Sequence, residues 1–253
     1  MIRVSIIGSG NVAQHLIQAF SKTGAVELVQ VFARDKQSVS GLIALEKVSS
    51  DFNDFIAVDL CIIAITDDAI AAVSKEFPFS NQLVVHTSGG VAMDAIDAKN
   101  RRGVFYPLQT FSKSKAVDFN SIPICIEAQN ENDLVVLERV AKSISDVVLT
   151  INSGQRKGLH VAAVFVSNFV NHLYQIGNEL CVENDLSFDI LKPLIQETAT
   201  KIMTLLPNEA QTGPAERGDT LTINGHLNFL TNDNQKEIYK LLTKSIIDNG
   251  KKL

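Results

Sequence analysis

The sequence predicts an α/β protein in two parts: an N-terminal doubly wound domain, with helices on both faces of a mostly parallel sheet, and an all-α C-terminal domain. Three observations support this prediction. Apolar, partly β-branched runs alternate with helical patterns over residues 1–152. A glycine-rich turn follows the first of these runs. From Ser153 onward the pattern has helical periods and no convincing strand.

The first predicted strand and the turn after it carry the clearest local signal. Ile2–Ile7 predicts a strand, and Gly8-Ser9-Gly10-Asn11-Val12-Ala13 opens a segment with helical spacing. This is the G-x-G-x-x-A form of the Rossmann dinucleotide fingerprint, in which the glycines permit a tight turn and a close approach to a pyrophosphate. Unpaired N–H groups at the helix start would face the phosphates. The residues predicted to bind a dinucleotide are therefore Gly8, Ser9, Gly10, Asn11 and Val12.

The end of the second predicted strand, Leu28–Phe32, indicates which dinucleotide to expect. An acidic residue there hydrogen-bonds the ribose 2′-hydroxyl of NAD, whereas an arginine accommodates the 2′-phosphate of NADP. Arg34 comes first after the strand, with Lys36 close behind, so we predict NADP(H) and assign Arg34 to its binding. Asp35 keeps NAD as the alternative, and ordinary loop charges are a third interpretation.

Two further strands end at the edge of the sheet where a cofactor would lie. The apolar run 56–65 is followed by Thr66, and a strand at 82–85 is followed by the loop 86–90. We expect Ala64, Ile65, Thr66 and Ser88 to contact the cofactor. Either Thr66 or one of the aspartates at positions 67 and 68 is expected to cap the next helix, and we expect the two aspartates to be caps rather than catalysts. For His86 we expect a structural hydrogen-bonding role, with catalysis as the alternative.

Strands predicted at 103–106, 122–127 and 147–151 complete the first domain, with an amphipathic helix between the last two. The first domain is therefore predicted to span residues 1–152 and to bind the dinucleotide. The second is predicted to span residues 153–253 and to be helical throughout.

Composition favours a cytoplasmic protein. Hydrophobic residues make up 45% and charged residues 20%, a globular balance. The formal net charge of −5, without a basic tract, argues against nucleic acid or anionic membrane as a partner. Cys61, Cys125 and Cys181 are widely spaced and odd in number, which argues against a disulfide framework and against a metal site. No signal-peptide pattern is present, and no apolar run reaches the roughly 20 residues that a membrane span needs.

Residues 155–182 predict one long helix whose apolar residues cover almost every face, so we expect it to be buried on most sides. Its polar residues fall within roughly a third of the circumference at about 100° per residue. They are Lys157, His160, Ser167, Asn168, Asn171, Gln175 and Asn178.

This stripe is rich in amide, hydroxyl and imidazole groups, which favours a substrate cleft over the alternative of a solvent-facing surface. His160 is the candidate proton donor, Lys157 is the rival acid, and Asn168 would orient the substrate. Ser167 and Asn171 are the further candidates for substrate contact.

A glycine- and proline-containing loop at 206–220 adds one more candidate. Arg217 lies between Pro214 and Gly218, and its guanidinium fork suits a substrate carboxylate because it binds two oxygens at once. An ordinary surface loop is the alternative.

Several motifs in this order resemble the family of Rossmann-like proteins that carry the DUF2520 C-terminal domain. The motifs are Gly8 to Ala13, Asp67-Asp68-Ala69-Ile70, His86-Thr87-Ser88-Gly89, Pro107-Leu108-Gln109-Thr110-Phe111, His160 with Ser167-Asn168-Phe169, and Thr212-Gly213-Pro214-Ala215-Glu216-Arg217-Gly218-Asp219. The family is similar to pyrroline-5-carboxylate reductase, 6-phosphogluconate dehydrogenase and ketopantoate reductase. The resemblance implies a nicotinamide-binding domain and a helical second domain through which the chain forms a homodimer.

The chain departs from the family in one place, since the family often has histidine before Pro-Leu-Gln and Tyr106 stands there instead. In the related dehydrogenases a lysine and an asparagine one helical turn apart serve catalysis. Lys157 and Asn168 are eleven positions apart, so that pair does not transfer. His160 takes the acid role by position.

The function expected from the sequence is an NADP(H)-dependent reductase of a small carbonyl or imine compound, with a keto acid such as ketopantoate as the named candidate. The alternative is a dinucleotide-binding regulatory protein without turnover.

Overall fold

The computed structural model describes residues 1–113 and 115–250, so the last three residues of the predicted second domain lie outside the described residues. The chain divides into two compact units, Met1–Asn168 and Phe169–Leu253. The first unit thus extends beyond the predicted boundary at Asn152 and includes the helix that follows it.

In the described residues, one sheet of eight strands with the order β3-β2-β1-β4-β5-β6-β7-β8 forms the first unit. The strands are β1 (Ile2–Ile7), β2 (Val26–Phe32), β3 (Val48–Ser49), β4 (Leu60–Ile63), β5 (Leu83–His86), β6 (Arg101–Pro107), β7 (Ile124–Ala128) and β8 (Val148–Thr150). The predicted doubly wound domain is confirmed. The two-residue β3 carries too short an apolar pattern to be seen in the sequence.

Strand β7 runs antiparallel to β6, and β8 runs parallel to β7. A parallel connection needs a crossover of a dozen or more residues, usually through a helix. Between β6 and β7 the chain instead follows a loop in which the described residues contain only a single 3₁₀ turn, Phe119–Ser121. This loop starts at the same edge of the sheet as the glycine turn.

Helices α1 (Asn11–Phe20), α2 (Ile70–Glu76) and α3 (Glu131–Lys142) cover the two faces of the sheet. Neighbouring residues of a strand point to opposite faces. Ile6 therefore packs with Leu16 of α1 and Leu137 of α3, while Ile7 packs in a second cluster with Ile70 of α2. All five side chains are buried.

The helix predicted over 155–182 is interrupted. Helix α4 (Ser153–Ala163) passes into a π-helical turn, Val164–Phe169, before α5 (Val170–Glu183) begins. A π-helix has i→i+5 hydrogen bonds, so it accommodates about one extra residue per turn. The regular helix that the sequence predicted is therefore interrupted over residues 164–169.

The remaining helices lie in the second unit and, as predicted, no strand occurs between Ser153 and Gly250. They are α6 (Lys192–Lys201), α7 (Pro207–Ala210), α8 (Thr220–Phe229) and α9 (Asp233–Gly250), with a 3₁₀ turn at Phe188–Leu191. The all-α second part is therefore confirmed. Among residues 1–113 and 115–250, no helix is both long enough and apolar enough to cross a membrane.

The expectation that the long helical segment is buried on most sides is wrong for the single chain. Val161 is 51% exposed, Val166 is 72% exposed and Val182 is 66% exposed. Helical periodicity reports an apolar surface but not what covers it, and the single chain leaves these side chains uncovered.

Candidate functional site

A cavity of about 1170 Å³ opens at the carboxyl ends of β1, β2 and β4. Ligands of open α/β sheets bind at this edge. Nine of the ten residues predicted to bind the cofactor line the cavity: Gly8, Ser9, Gly10, Asn11, Val12, Arg34, Ala64, Ile65 and Thr66. The sequence did not single out Phe32, the segment 50–53 or Lys113, which line it as well.

The glycine turn is shaped by the strand on each side of it. The Gly8 N–H donates to the Phe32 carbonyl of β2 at 2.8 Å, and Gly8 has a φ of +127°. A Cβ at this position would collide with the carbonyl of Ala64 after β4. The turn therefore requires glycine for its backbone conformation and for its close packing.

The start of α1 is open to a ligand. Gly10 is the N-cap, no side chain caps the helix, and its first turn holds no acidic residue. The first N–H groups of a helix have no partner within it and favour an anion. This cradle, bordered by Arg34, fits the phosphates of a dinucleotide.

In the loop after β2, Arg34 and Asp35 left NADP and NAD as alternatives, and the two side chains have different environments. Arg34 lines the cavity. Asp35 caps the following 3₁₀ turn instead, since its carboxylate accepts a hydrogen bond from the Gln37 N–H at 3.0 Å. The Asp35 carboxylate is thus used within its own loop. This favours Arg34 over Asp35 as the residue that would contact an adenosine ribose.

Ser88, the tenth predicted cofactor residue, does not line the cavity. It is buried, and its hydroxyl accepts hydrogen bonds from the N–H groups of Gly90 and Val91 at 3.1 and 3.0 Å. The residue of this loop that lines the cavity is Thr87, directly after β5. A serine hydroxyl readily closes a local turn by accepting from the backbone N–H two residues later. The sequence alone does not show whether Ser88 closes such a turn or contacts a cofactor.

His86, at the end of β5, has a structural environment. It is buried, its Nδ1 accepts from the Ser88 N–H at 3.2 Å, and its Nε2 then donates to the Ala92 carbonyl at 3.2 Å. Burial lowers the pKa of His86 to about 4. The ring is therefore neutral at physiological pH and holds the 86–92 loop together.

His160 lies at the centre of a second cluster, built from three elements of the first unit. Its Nδ1 is 3.0 Å from the hydroxyl of Tyr106 on β6. The ring packs directly on Gly89, where a Cβ would collide with both His160 and Tyr106. Gly89 follows Thr87 by two residues, so the His160 cluster lies close to the cavity.

Acidic and phenolic groups complete this cluster. Both the Asp67 carboxylate and the His160 ring border Gly90. Tyr106 is 8% exposed, and burial raises the pKa of its hydroxyl, which therefore stays protonated at neutral pH. Of the three candidates for the helix cap, Thr66 occupies the N-cap position of the 3₁₀ turn Asp67–Ala69 that precedes α2, but its side chain makes no capping bond.

A buried ion pair positions α4 on the sheet. Arg156, 1% exposed, pairs with Glu127 of β7 and donates to the Val91 carbonyl at 2.6 Å. The Glu127 carboxylate also accepts hydrogen bonds from the N–H and hydroxyl of Ser153. Arg156 precedes His160 by one helical turn, so the pair orients the segment that carries the histidine.

The π-helical turn interrupts the segment that carries the predicted polar stripe. Lys157, exposed, and His160, half-buried, are neighbours three residues apart on α4. Ser167, half-buried, and Asn168, exposed, lie within the π turn, and the exposed Asn171 follows on α5 in the second unit.

Arg217 lies in the second unit, exposed in the loop before α8. The neighbouring Asp219 caps that helix, because its carboxylate accepts a hydrogen bond from the Thr222 N–H at 3.0 Å. The hydrogen bonds from the N–H and the hydroxyl of Thr222 lower the pKa of the Asp219 carboxyl. The loop therefore has a defined helix-starting role, with the Arg217 side chain in solvent.

Comparison with known proteins gives a family and a set of similar folds. Residues 122–246 match the family described as Domain of unknown function (DUF2520). The chain is 38% identical to the proposed NADP oxidoreductase BF3122 from Bacteroides fragilis, with 98% of each chain covered and a TM-score of 0.89. No curated protein matches the chain.

Two more distant structures share the fold. Protein TM1727 from Thermotoga maritima is 19% identical, covers 97% of this chain with 99% of its own, and has a TM-score of 0.77. A pyrroline carboxylate reductase from Plasmodium falciparum, solved with NADP bound, is 14% identical, with 99% and 97% covered and a TM-score of 0.58.

Proposed function

The chain belongs to the family of Rossmann-fold proteins that carry the DUF2520 domain, and from this premise we propose that it is an NADP(H)-dependent oxidoreductase that reduces a small carbonyl or imine compound. One observation carries the proposal. The cavity at the glycine turn, the open start of α1 and the His160 cluster lie at the same edge of one sheet.

Different residues of the cavity would bind different parts of the cofactor. The N–H groups at the start of α1 would hold the pyrophosphate, and Arg34 would hold the 2′-phosphate of NADP. Asp35, which an NAD enzyme would use for the ribose, is engaged by Gln37. When bound, the nicotinamide supplies a hydride.

His160 is the proposed proton donor. In its protonated form, Nδ1–H donates to the Tyr106 oxygen and Nε2–H remains for the substrate. The substrate carbon gains the hydride while its oxygen or nitrogen takes the Nε2 proton. Lys157, exposed on the neighbouring position of α4, is the rival donor, and Asn168, Ser167, Asn171 and Arg217 remain proposed substrate contacts.

Thermal unfolding with NADPH, NADH and a panel of keto acids and cyclic imines tests the proposal. A ligand that binds only the folded chain must stabilise it, by about 2.7 kcal/mol at a concentration of 100 Kd. We expect NADPH to raise Tm more than NADH. If neither dinucleotide shifts Tm, the proposed function is wrong.

Turnover separates an enzyme from a regulatory protein. Loss of NADPH absorbance in the presence of a panel compound, ketopantoate included, would support the reductase. Tight NADPH binding with a flat trace for every carbonyl and imine would support the regulatory alternative.

We also propose that the chain forms a homodimer through its helical part. The exposed large apolar side chains of this part exceed what isolated surface residues explain. They include Leu173, Val182, Ile190, Leu194, Leu221 and Leu241. The three cysteines are free and buried, which suits the reducing cytoplasm that we propose as its location.

A further inference from the structure

The loop between β6 and β7 brings a basic side chain into the cavity from a distant part of the sequence. Lys113 lines the cavity together with the glycine turn. We infer that Lys113 contacts the pyrophosphate of the bound dinucleotide and acts as a second phosphate-binding cation beside Arg34. This inference rests on the proposed dinucleotide site and adds a residue that the fingerprint does not contain.

The loop is attached to α1 just before Lys113. The Asn11 side-chain amide donates to the Phe111 carbonyl at 2.7 Å, and the buried His15 ring is hydrogen-bonded to the Ser112 carbonyl at 3.1 Å. The Phe111 ring packs on His15, with 4.9 Å between ring centroids. These contacts place the backbone before Lys113 beside the first turn of α1. The Lys113 ammonium group is therefore within reach of an anion bound at the start of that helix.

The charges of the cavity explain why a second cation matters. Among the described residues that line it, Arg34 and Lys113 are basic, whereas Asp51, Asp68 and Glu76 are acidic. A dinucleotide brings two negative charges on its pyrophosphate into this acidic surrounding. Helix N–H groups carry only partial charge, so Lys113 supplies the full positive charge at that end.

The two cations lie on different elements. Arg34 follows β2, where an adenosine ribose would lie. Lys113 directly follows the segment 111–112 that is hydrogen-bonded to α1, where the pyrophosphate would lie. Because NADPH and NADH share the pyrophosphate and differ in the 2′-phosphate, the two dinucleotides separate the roles of the two residues.

Titration of NADPH and NADH into the wild type and Lys113→Ala tests the inference. We expect Kd to rise about fivefold to tenfold for both dinucleotides, by the same factor, with a shallower salt dependence in the variant. Lys113→Arg, which keeps the charge, should stay within about twofold of the wild type. Lys115→Ala is the matched control, since it removes the same charge from the same loop at a residue that does not line the cavity.

Each other result has a defined meaning. An unchanged Kd in Lys113→Ala, or a loss equal to that of Lys115→Ala, overturns the inference. A rise for NADPH alone also overturns it, because Lys113 would then contact the 2′-phosphate. If the wild type binds neither dinucleotide, the proposed function fails first. Equal Tm values of the unliganded wild type and Lys113→Ala would exclude misfolding as the cause of a weaker Kd.

Discussion

At the scale of single residues, the contact between Tyr106 and His160 matters for the proposed chemistry. Tyr106 is the position at which the sequence departs from the family that it resembles, and His160 is the proposed proton donor. The family resemblance in the sequence implies histidine at the position of Tyr106. The phenol hydroxyl lies 3.0 Å from Nδ1 of His160, so it orients the ring that would donate the proton. A residue that touches the proton donor rather than the substrate acts by positioning.

We predict that His160→Ala lowers kcat of the reductase by about 10²-fold to 10⁴-fold, because it removes the proton donor. The Kd for NADPH should remain close to that of the wild type. Tyr106→Phe should lower kcat less, by about tenfold, and shift the pH profile, because the imidazole stays in place without its hydroxyl partner.

Steady-state kinetics over a pH series, with NADPH binding measured in parallel, checks this pair. His172→Ala is the control, since His172 is an exposed histidine on α5 in the other compact unit. Wild-type turnover in His160→Ala would remove the histidine from the mechanism and leave Lys157 as the donor.

We predict that Arg34→Ala weakens NADPH binding about tenfold or more while NADH binding changes little. The reason is that only NADPH carries a 2′-phosphate for the guanidinium. Lys36→Ala, in the same loop but outside the cavity lining, should leave both affinities near the wild-type values. Equal losses for the two dinucleotides would contradict the assignment of Arg34 to the 2′-phosphate.

His86 makes the folded chain sensitive to acid. Burial lowers its pKa from 6.5 to about 4. Above about pH 6.5 the ring is neutral in both folded and unfolded chains. As the pH falls from 6.5 to 4, the unfolded chain takes up a proton that the folded chain does not, so the free energy of unfolding falls by on the order of 2–3 kcal/mol.

His86→Asn should remove this contribution, because the asparagine amide does not titrate while its Oδ1 can replace Nδ1 as the acceptor for the Ser88 N–H. Urea unfolding at pH 7, 5.5 and 4 measures it. We expect the stability of the wild type to fall more steeply with acid than that of the variant. Parallel curves would show that His86 does not titrate between the two states.

At the scale of elements, α4 depends on a buried ion pair rather than on apolar packing alone. Removing one partner leaves the other charge buried and unpaired, which costs about 3–5 kcal/mol. We therefore predict that Glu127→Gln lowers the free energy of unfolding by about 3 kcal/mol. Glu138→Gln, which breaks the exposed Glu138–Lys142 pair, should cost less than about 0.5 kcal/mol.

Urea unfolding monitored by circular dichroism measures both variants. A cost for Glu127→Gln as small as that for Glu138→Gln would mean that the pair does not hold α4 on the sheet.

The π-helical turn between α4 and α5 is, like β3, an element that the sequence pattern missed. The sequence prediction ran one regular helix through residues 164–169, because their apolar side chains continue the helical pattern of the segment. The consequence concerns the proposed site, because the projection that placed Ser167 and Asn168 in one stripe with Lys157 and His160 assumed a regular helix. A straight-helix projection is therefore valid only up to Ala163.

At the scale of the whole molecule, the exposed apolar residues of the helical part predict self-association. Leu173 on α5 is 39% exposed, and Leu173→Lys should shift the chain from dimer toward monomer by placing a charge in the interface. Val135→Lys is the control, since Val135 is 50% exposed on α3 of the sheet unit. Sedimentation velocity over a concentration series measures both, and a monomeric wild type at micromolar concentration would contradict the proposed dimer.

The sequence by itself determined the fold class and the position of the glycine turn, and nine of the ten residues that it predicts to bind the cofactor line the cavity. These features are local. Strand and helix periods, the spacing of Gly8 and Gly10, and the residue after a strand can all be recognised within a few neighbouring positions.

Only the tertiary structure decided the rest. In the structure Asp35 caps a 3₁₀ turn, and the Ser88 hydroxyl accepts hydrogen bonds within its own loop. Tyr106 contacts His160, 54 positions away, and the Phe111 carbonyl contacts Asn11, 100 positions away. The contacts of Tyr106 with His160 and of Phe111 with Asn11 depend on strand order and on the path of one long loop. Local periodicity carries no information about either, because chain segments far apart in sequence meet only when the sheet has formed.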